Sequence, residues 1–345
     1  MSREEHSRPQ WLAQSLLVSL LIVGCSAAKP PAPLPPPPLP PLERVTSFDV
    51  SLPKGKQLPP VAGRVQAYKI RKGDTLLDVA RDAGLGYQEL QDANPTVDQW
   101  VPAPGAEVAV PTRWIVPRSQ YRGLVINVPE MRLYMFPRKT RAGQRIAVRT
   151  WAVSIGLADT QSPLGRFTVR AKDKNPTWGV PDSIYAEMDE PRRVVLPGPD
   201  NPLGEYRLRL SEGLYAIHGT NIPWSIGRET THGCIRLYPE DLEVLYPLVP
   251  VGTPAEFIYE PVKLGELEGG VYVEVHSDRY HRIRDMQKYA AKLVKDAGLS
   301  SRVDAARLRQ AVEAQSGVPV DITRADASPL PLADATAMRA HAHAR

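Results

Sequence analysis

Between residues 121 and 260 the sequence breaks into short apolar runs, cut at close intervals by Gly and Pro, and this punctuation constrains the fold more than any other feature. Runs of that length suit strands and are too short for helices packed in a bundle. Residues 124–128, 131–136, 147–155 and 167–169 are the clearest candidate strands, so the region is expected to form an all-β barrel or sandwich. Ser162-Pro163-Leu164-Gly165 reads as a turn between two of them. Pro239-Glu240-Asp241 reads as the start of a short helix, Pro and acidic residues suiting a first turn, with Leu242, Leu245 and Leu248 facing inward.

Within this region stand His218-Gly219-Thr220 and then Thr231-His232-Gly233-Cys234-Ile235-Arg236, a thiol, two imidazoles and a guanidinium close together. A thiol attacks only as thiolate and so needs a base or another group that lowers its pKa. His218 is the leading candidate for that base, with His232 next. Gly233 lets the backbone turn tightly and brings its own amide and that of Cys234 toward a developing oxyanion. Two imidazoles and a thiol also suit zinc with water in the fourth place. No second Cys or His-Glu-x-x-His pattern accompanies them, so no metal or other cofactor is expected.

The chain holds two Cys, Cys25 and Cys234. Residues 11–23 form an apolar stretch of signal-peptide length, too short to span a bilayer comfortably, so residues 1–24 are expected to be a signal peptide. Leu21-Ile22-Val23-Gly24-Cys25 resembles a bacterial lipobox, which implies cleavage before Cys25 and lipidation of its thiol. Ser26, by the same resemblance, implies delivery to the outer membrane. The pattern departs at its start, where Arg3 and Arg8 are offset by Glu4 and Glu5, and an ordinary cleaved signal or an uncleaved anchor stays open. With Cys25 lipidated, Cys234 has no disulfide partner, and an unpaired thiol in an oxidising compartment is a liability unless it works. Residues 25–64 then read as the lipidated Cys and a linker whose Pro-dominated stretch, 29–42, favours an extended polyproline II spacer.

Residues 65–112 have the pattern strand, two short helices, strand: Gln66 to Ile70, a turn at Gly73 with Asp74 as N-cap, an apolar face of Leu76, Leu77, Val79 and Ala80, a stop at Gly84, a second helix over 87–93, a break at Asn94-Pro95, and Val108 to Pro111. The Tyr-x-Ile-x-x-Gly-Asp-Thr-Leu run from Tyr68, the Asn94-Pro95 pair and the closing Val-Pro resemble a LysM module. That resemblance implies binding of N-acetylglucosamine-containing glycans in a groove between the turn carrying Gly73, Asp74 and Thr75 and the loop after Asn94. A packing domain without glycan affinity is the alternative.

Residues 121–260 resemble the YkuD-type L,D-transpeptidase family. The resemblance rests on Ile217-His218-Gly219-Thr220, Ser225-Ile226-Gly227, Thr231 to Leu237, Ser162 to Phe167 and Asn175-Pro176-Thr177-Trp178. It implies a mainly β catalytic domain, a YkuD-type sandwich or barrel, acting on peptidoglycan stem peptides. Cys234, helped by His218, would attack the carbonyl between the L-centre of diaminopimelate and terminal D-Ala, form a thioester and pass the acyl group to an amine. By the same resemblance His232 and Thr231 orient the loop, and Thr231, Arg236, Trp178 and Trp224 lie toward the substrate. For Arg236 an internal salt bridge, and for either Trp simple burial, are equally open. The implied partners are stem peptides, glycan strands, an envelope lipoprotein as one acceptor, and the membrane through the N-terminal lipid, in the periplasm. A LysM lipoprotein without catalysis, and a carboxypeptidase or amidase using water as acceptor, are the competing readings.

Residues 261–345 lie beyond the resemblance and read as an appendage: a strand over 271–276, helices over 280–297 and 303–314 with Gly298 and Gly317 as stops, and an Ala-rich frayed tail after Ala325. His341 and His343 in that tail form no convincing metal site. A formal net charge of +5 favours anionic surroundings, but no basic tract with interleaved aromatics points to nucleic acid as a partner.

Overall fold

Alternation sets the place of each strand in the main sheet. Arg145–Ala152 presents Ile146, Val148 and Thr150 inward and Arg145, Ala147 and Arg149 to solvent, and it lies next to the edge strand Ser47–Ser51. Gly123–Asn127 is buried at every position and lies mid-sheet. The computed structural model describes residues 40–186 and 191–327; the expected signal peptide, Cys25, most of the Pro-rich stretch, His341 and His343 fall outside them.

The nine strands run in the order Ser47–Ser51, Arg145–Ala152, Arg132–Phe136, Gly123–Asn127, Pro254–Ile258, Gly165–Lys174, Tyr206–Leu210, Ala216–His218, Ile235–Arg236. Gly165–Lys174 bends at a bulge between Val169 and Ala171, pairing with Pro254–Ile258 before it and mainly with Tyr206–Leu210 after it. The sheet therefore curls, and an antiparallel bridge from Arg236 to Ser154 brings its last strand back to the extension of its second. Leu124, Ile126, Leu133, Trp151, Val169, Leu208, Ile217, Ile235 and Leu237 fill the core inside the curl.

Three local expectations are corrected. Residues 162–164 form no turn but lead straight into strand Gly165–Lys174, with the Ser162 Oγ accepting from Gly156 N at 2.9 Å and the Ser162 N–H donating to Tyr280 OH. Helix Pro239–Leu248 buries Leu242 and Leu245, followed by Val249, while Leu248 is exposed. At 100° per residue Leu248 stands about 120° from Leu242, whereas Val249 falls almost in line with it. The helix expected over 280–297 begins only at Met286, because Asp285 accepts from Lys288 N and caps it; Asp304 likewise starts Ala305–Ala314.

Residues 65–112 form an antiparallel pair, Gln66–Lys69 with Glu107–Val110, covered by helices Leu76–Ala83 and Tyr87–Ala93. The N-cap is Thr75, not Asp74: Thr75 Oγ1 accepts from Asp78 N in a capping box, while Asp74 Oδ2 accepts from Arg71 N and Tyr68 OH. Leu77 is only half-buried; Leu76, Val79, Ala80 and Ala83 make the inner face.

This unit is held hard against the main sheet. The N–H groups of Tyr87 and Gln88 donate to Ile226 O and Gly227 O. Gly86 and Gly227 touch so closely that a Cβ on Gly86 would lie 2.6 Å from the Gly227 Cα. The buried Glu89 carboxylate pairs through both oxygens with Arg132, at 2.8 and 2.9 Å, and accepts from Gly86 N. Beyond residue 261 the strands Val262–Leu267, Gly270–Val275 and Val320–Asp321 and the last two helices enclose a core of their own. That core docks through Lys263 Nζ, which bridges Glu130 and Glu274 and donates to Ile115 O.

Candidate active site

Strand alternation gathers the chemistry on one face. Ile217 and Ile235 are adjacent in the parallel pair Ala216–His218 with Ile235–Arg236, and both point into the core. Their neighbours Ala216, His218, Cys234 and Arg236 therefore face the other way, joined by Arg207, which is in register with His218. All five line one cleft of about 540 Å³, together with Trp178, Leu203, Leu214, Tyr215, Thr231 and His232.

The turn that carries Cys234 is tied from within. Thr231 Oγ1 donates to Cys234 O at 2.6 Å and accepts from Gly233 N at 3.1 Å. This corrects two expectations: the buried Thr231 hydroxyl serves the turn's backbone rather than substrate, and the Gly233 N–H expected at an oxyanion is already engaged. Gly233 has φ +98°, and a Cβ there would lie 2.7 Å from Tyr215 Cε1 and 3.1 Å from Gln161 O, so this turn requires glycine.

His218 is buried, and its Nδ1 lies 2.7 Å from Gly219 O. A carbonyl only accepts, so the proton sits on Nδ1 and Nε2 carries the lone pair. Burial, with the Arg236 and Arg207 charges adding to it, pushes the imidazole pKa down to about 3. Burial pushes the Cys234 thiol up, against the opposing pull of the Ala216 backbone, Arg236 and Arg207. At rest the site thus holds a neutral thiol, with Sγ 3.9 Å from Leu214 O, and a neutral imidazole. Arg236 is itself depressed by burial, its Nε has no hydrogen-bond partner, and it makes no ion pair among the described residues. Of its two open readings, the internal salt bridge is absent from the described residues.

Trp178 lines the cleft; Trp224 does not. It is 64% exposed on a turn whose Ser225 carbonyl accepts from Ser154 Oγ, beside Leu77, Arg81 and Tyr87 of the helical unit. Asn94 is also reassigned: its amide donates to Leu90 O and Ala109 O, and its oxygen accepts from Ala109 N, so the side chain is spent on the fold. Gly73 borders open space, and the expected gap beside it is partly closed by Leu76 N donating to Gln99 O. Arg207 was missed, although the strict alternation Tyr206-Arg207-Leu208-Arg209-Leu210 marks one charged face. It is held by Asp173 at 2.8 Å. Glu130, Glu274 and His276 converge closely enough for a metal, but the Lys263 ammonium already bridges the two carboxylates.

The profile of the YkuD family, described as an L,D-transpeptidase catalytic domain, matches residues 121–261. The Escherichia coli K12 protein "Probable L,D-transpeptidase YbiS" is 35% identical over 289 residues, 80% of this chain and 92% of that protein. "Probable L,D-transpeptidase YcfS" of the same organism is 33% identical over 293 residues, 79% and 89% of the two chains. "Probable L,D-transpeptidase ErfK/SrfK" of Salmonella typhimurium is 32% identical over 292 residues, 80% and 92%. With likeness extending over most of both chains and the curled β domain placed on the matched span, the chain belongs to the YkuD-type L,D-transpeptidase family.

Proposed function

We propose that this protein is a periplasmic peptidoglycan L,D-transpeptidase, anchored through a lipidated Cys25, in which Cys234 is the nucleophile and His218 the base. The observation that supports this most is the shared face: thiol, imidazole and an unpaired guanidinium open into one cleft. Cys234 Sγ attacks the carbonyl between the L-centre of diaminopimelate and D-Ala while its proton passes to His218 Nε2. The tetrahedral intermediate collapses, the C–N bond breaks, and the departing D-Ala amine takes that proton back. An acceptor amine then attacks the thioester, loses its proton to His218, and the thiol is restored. The amide bond energy is held in the thioester, so no nucleotide is consumed.

The neutral resting pair calls for a trigger. A donor carboxylate paired with Arg236 removes a positive charge that opposes protonation of His218, so donor binding itself raises the basicity of the imidazole. Of the oxyanion donors first considered, the Cys234 amide is kept. Residues 65–112 serve as a LysM module for glycan strands, with the exposed Trp100 of the loop after Asn94 in place of the Asn94 side chain.

The deciding experiment incubates the purified protein with defined tetrapeptide muropeptides, alone and with added amines, and analyses products by mass spectrometry. D-Ala release with new amide cross-links is expected, and Cys234→Ala should abolish both. Release without any amide product would assign water as the acceptor. Sedimentation with sacculi after Trp100→Ala, and membrane fractionation after Cys25→Ala, test the module and the anchor.

A further inference from the structure

We propose that residues 278–282, which lie beyond the span matched to the YkuD family, are a working part of the catalytic site, with Tyr280 the positioning residue that fixes the nucleophile turn. The inference rests on Cys234 being the nucleophile. It starts from what lies behind that turn. The Thr231 carbonyl accepts from Leu157 N at 2.9 Å and from Thr160 Oγ1 at 3.1 Å, Thr231 pairs with Gly156, and Gly233 leans on Gln161 O. The loop 156–162 is therefore the platform against which Cys234 is aimed.

Tyr280 ties the two ends of this platform together. Its hydroxyl donates to Gly156 O and accepts from Ser162 N, both at 3.0 Å. Those backbone groups are buried, so without the hydroxyl each loses a partner that water does not readily replace. Tyr280 is 5% exposed and packs in the core of the catalytic sheet, not in the separate core of the appendage that surrounds it in sequence. Its own place is set by Tyr259, whose ring stacks on it and whose hydroxyl accepts from Tyr280 N. On either side the strap makes two more ties: Arg279 reaches Asp92 and Glu229, and Arg282 donates to Gln161 Oε1 at 2.8 Å. Three of its five residues thus grip the segments that carry or support the nucleophile. A displacement of about 1 Å at a reacting group costs about a hundredfold in rate, so a platform held this way bears on turnover more than on binding.

The test uses the full chain and D-Ala release from a tetrapeptide muropeptide, well below the melting temperature. Tyr280→Phe should lower kcat about tenfold or more with KM nearly unchanged, while alkylation of Cys234 by iodoacetamide, which needs no platform geometry, stays near the wild-type rate. A role in stability alone predicts wild-type kcat in the folded fraction, and that result overturns the proposal. Tyr289→Phe, a change in the appendage away from the platform, should leave kcat unaltered. If Tyr280→Phe does not fold, Arg282→Ala decides: it cuts the exposed tie to Gln161 and the guanidinium's contact over the Tyr259 ring, 5.4 Å from its centroid, and a severalfold loss of kcat at unchanged melting temperature supports the strap, wild-type kcat refutes it. Cys234→Ala runs alongside, because residual turnover there would remove the nucleophile assignment itself and not the strap.

Discussion

His218 and Cys234 sit where water is scarce and two guanidinium groups are near, and both features act on the same equilibrium. The folded imidazole pKa of about 3 lies below the ordinary value of 6.5, so between these values the unfolded chain binds a proton that the folded chain refuses. Stability from this group is complete above about pH 6.5 and lost as the pH falls toward 3. Thermal unfolding across that window should therefore slope less steeply in His218→Asn than in wild type; equal slopes would mean that the imidazole is not buried neutral. The thiol shift has the opposite sign for reactivity. Iodoacetamide alkylation of the free enzyme should still be rising above pH 9.0, the ordinary thiol value, and a plateau near neutrality would reveal a preformed thiolate. Gly233→Ala should cut turnover about a hundredfold and destabilise by about 1–3 kcal/mol, since its φ of +98° and the Tyr215 ring leave no place for a methyl group. Turnover and melting temperature measured together check both halves.

At the scale of strands and helices, what the sequence discloses depends on whether the signal is local. The strand expected over 124–128 is found as Gly123–Asn127, and the second helix over 87–93 as Tyr87–Ala93, because run length and breakers act within a few residues. The two-residue alternation around His218 and Cys234 is as local, yet the strands that carry it are only three and two residues long and give no run to read, so the cleft face emerges only with their pairing. Asp285 and Asp304 were legible caps that the apolar pattern overrode, so the helices expected from 280 and 303 begin at Met286 and Ala305. Asn94 misleads for a different reason: a polar residue beside a loop looks available until its three backbone bonds are seen. Glu89 and Arg132 were out of reach altogether, since each reads as a surface charge and only the folded chain brings them together. Breaking a buried pair from one side costs about 3–5 kcal/mol. Arg132→Met should accordingly lower the melting temperature by about 10 °C, and calorimetry that finds no change would mean that the two units are only loosely apposed.

Across the whole molecule, the ties that hold the helical unit to the catalytic sheet include amide bonds from Tyr87 and Gln88, the Gly86–Gly227 contact, the Glu89–Arg132 pair and the Arg81–Glu240 pair. A chain lacking residues 65–112 should be poorly soluble, because the sheet face around Arg132 and Trp114 loses its cover, and size-exclusion chromatography of that deletion checks it. The docking has a consequence for how substrate is found. A module on a slack tether raises the effective concentration of its target over a wide radius and leaves orientation to chance. If residues 65–112 grip glycan as proposed, a module clamped to the sheet would give up that sweep, and the strand it held would present its peptides from a single direction, so the stems facing away from Cys234 would go unprocessed until the strand was released and gripped again.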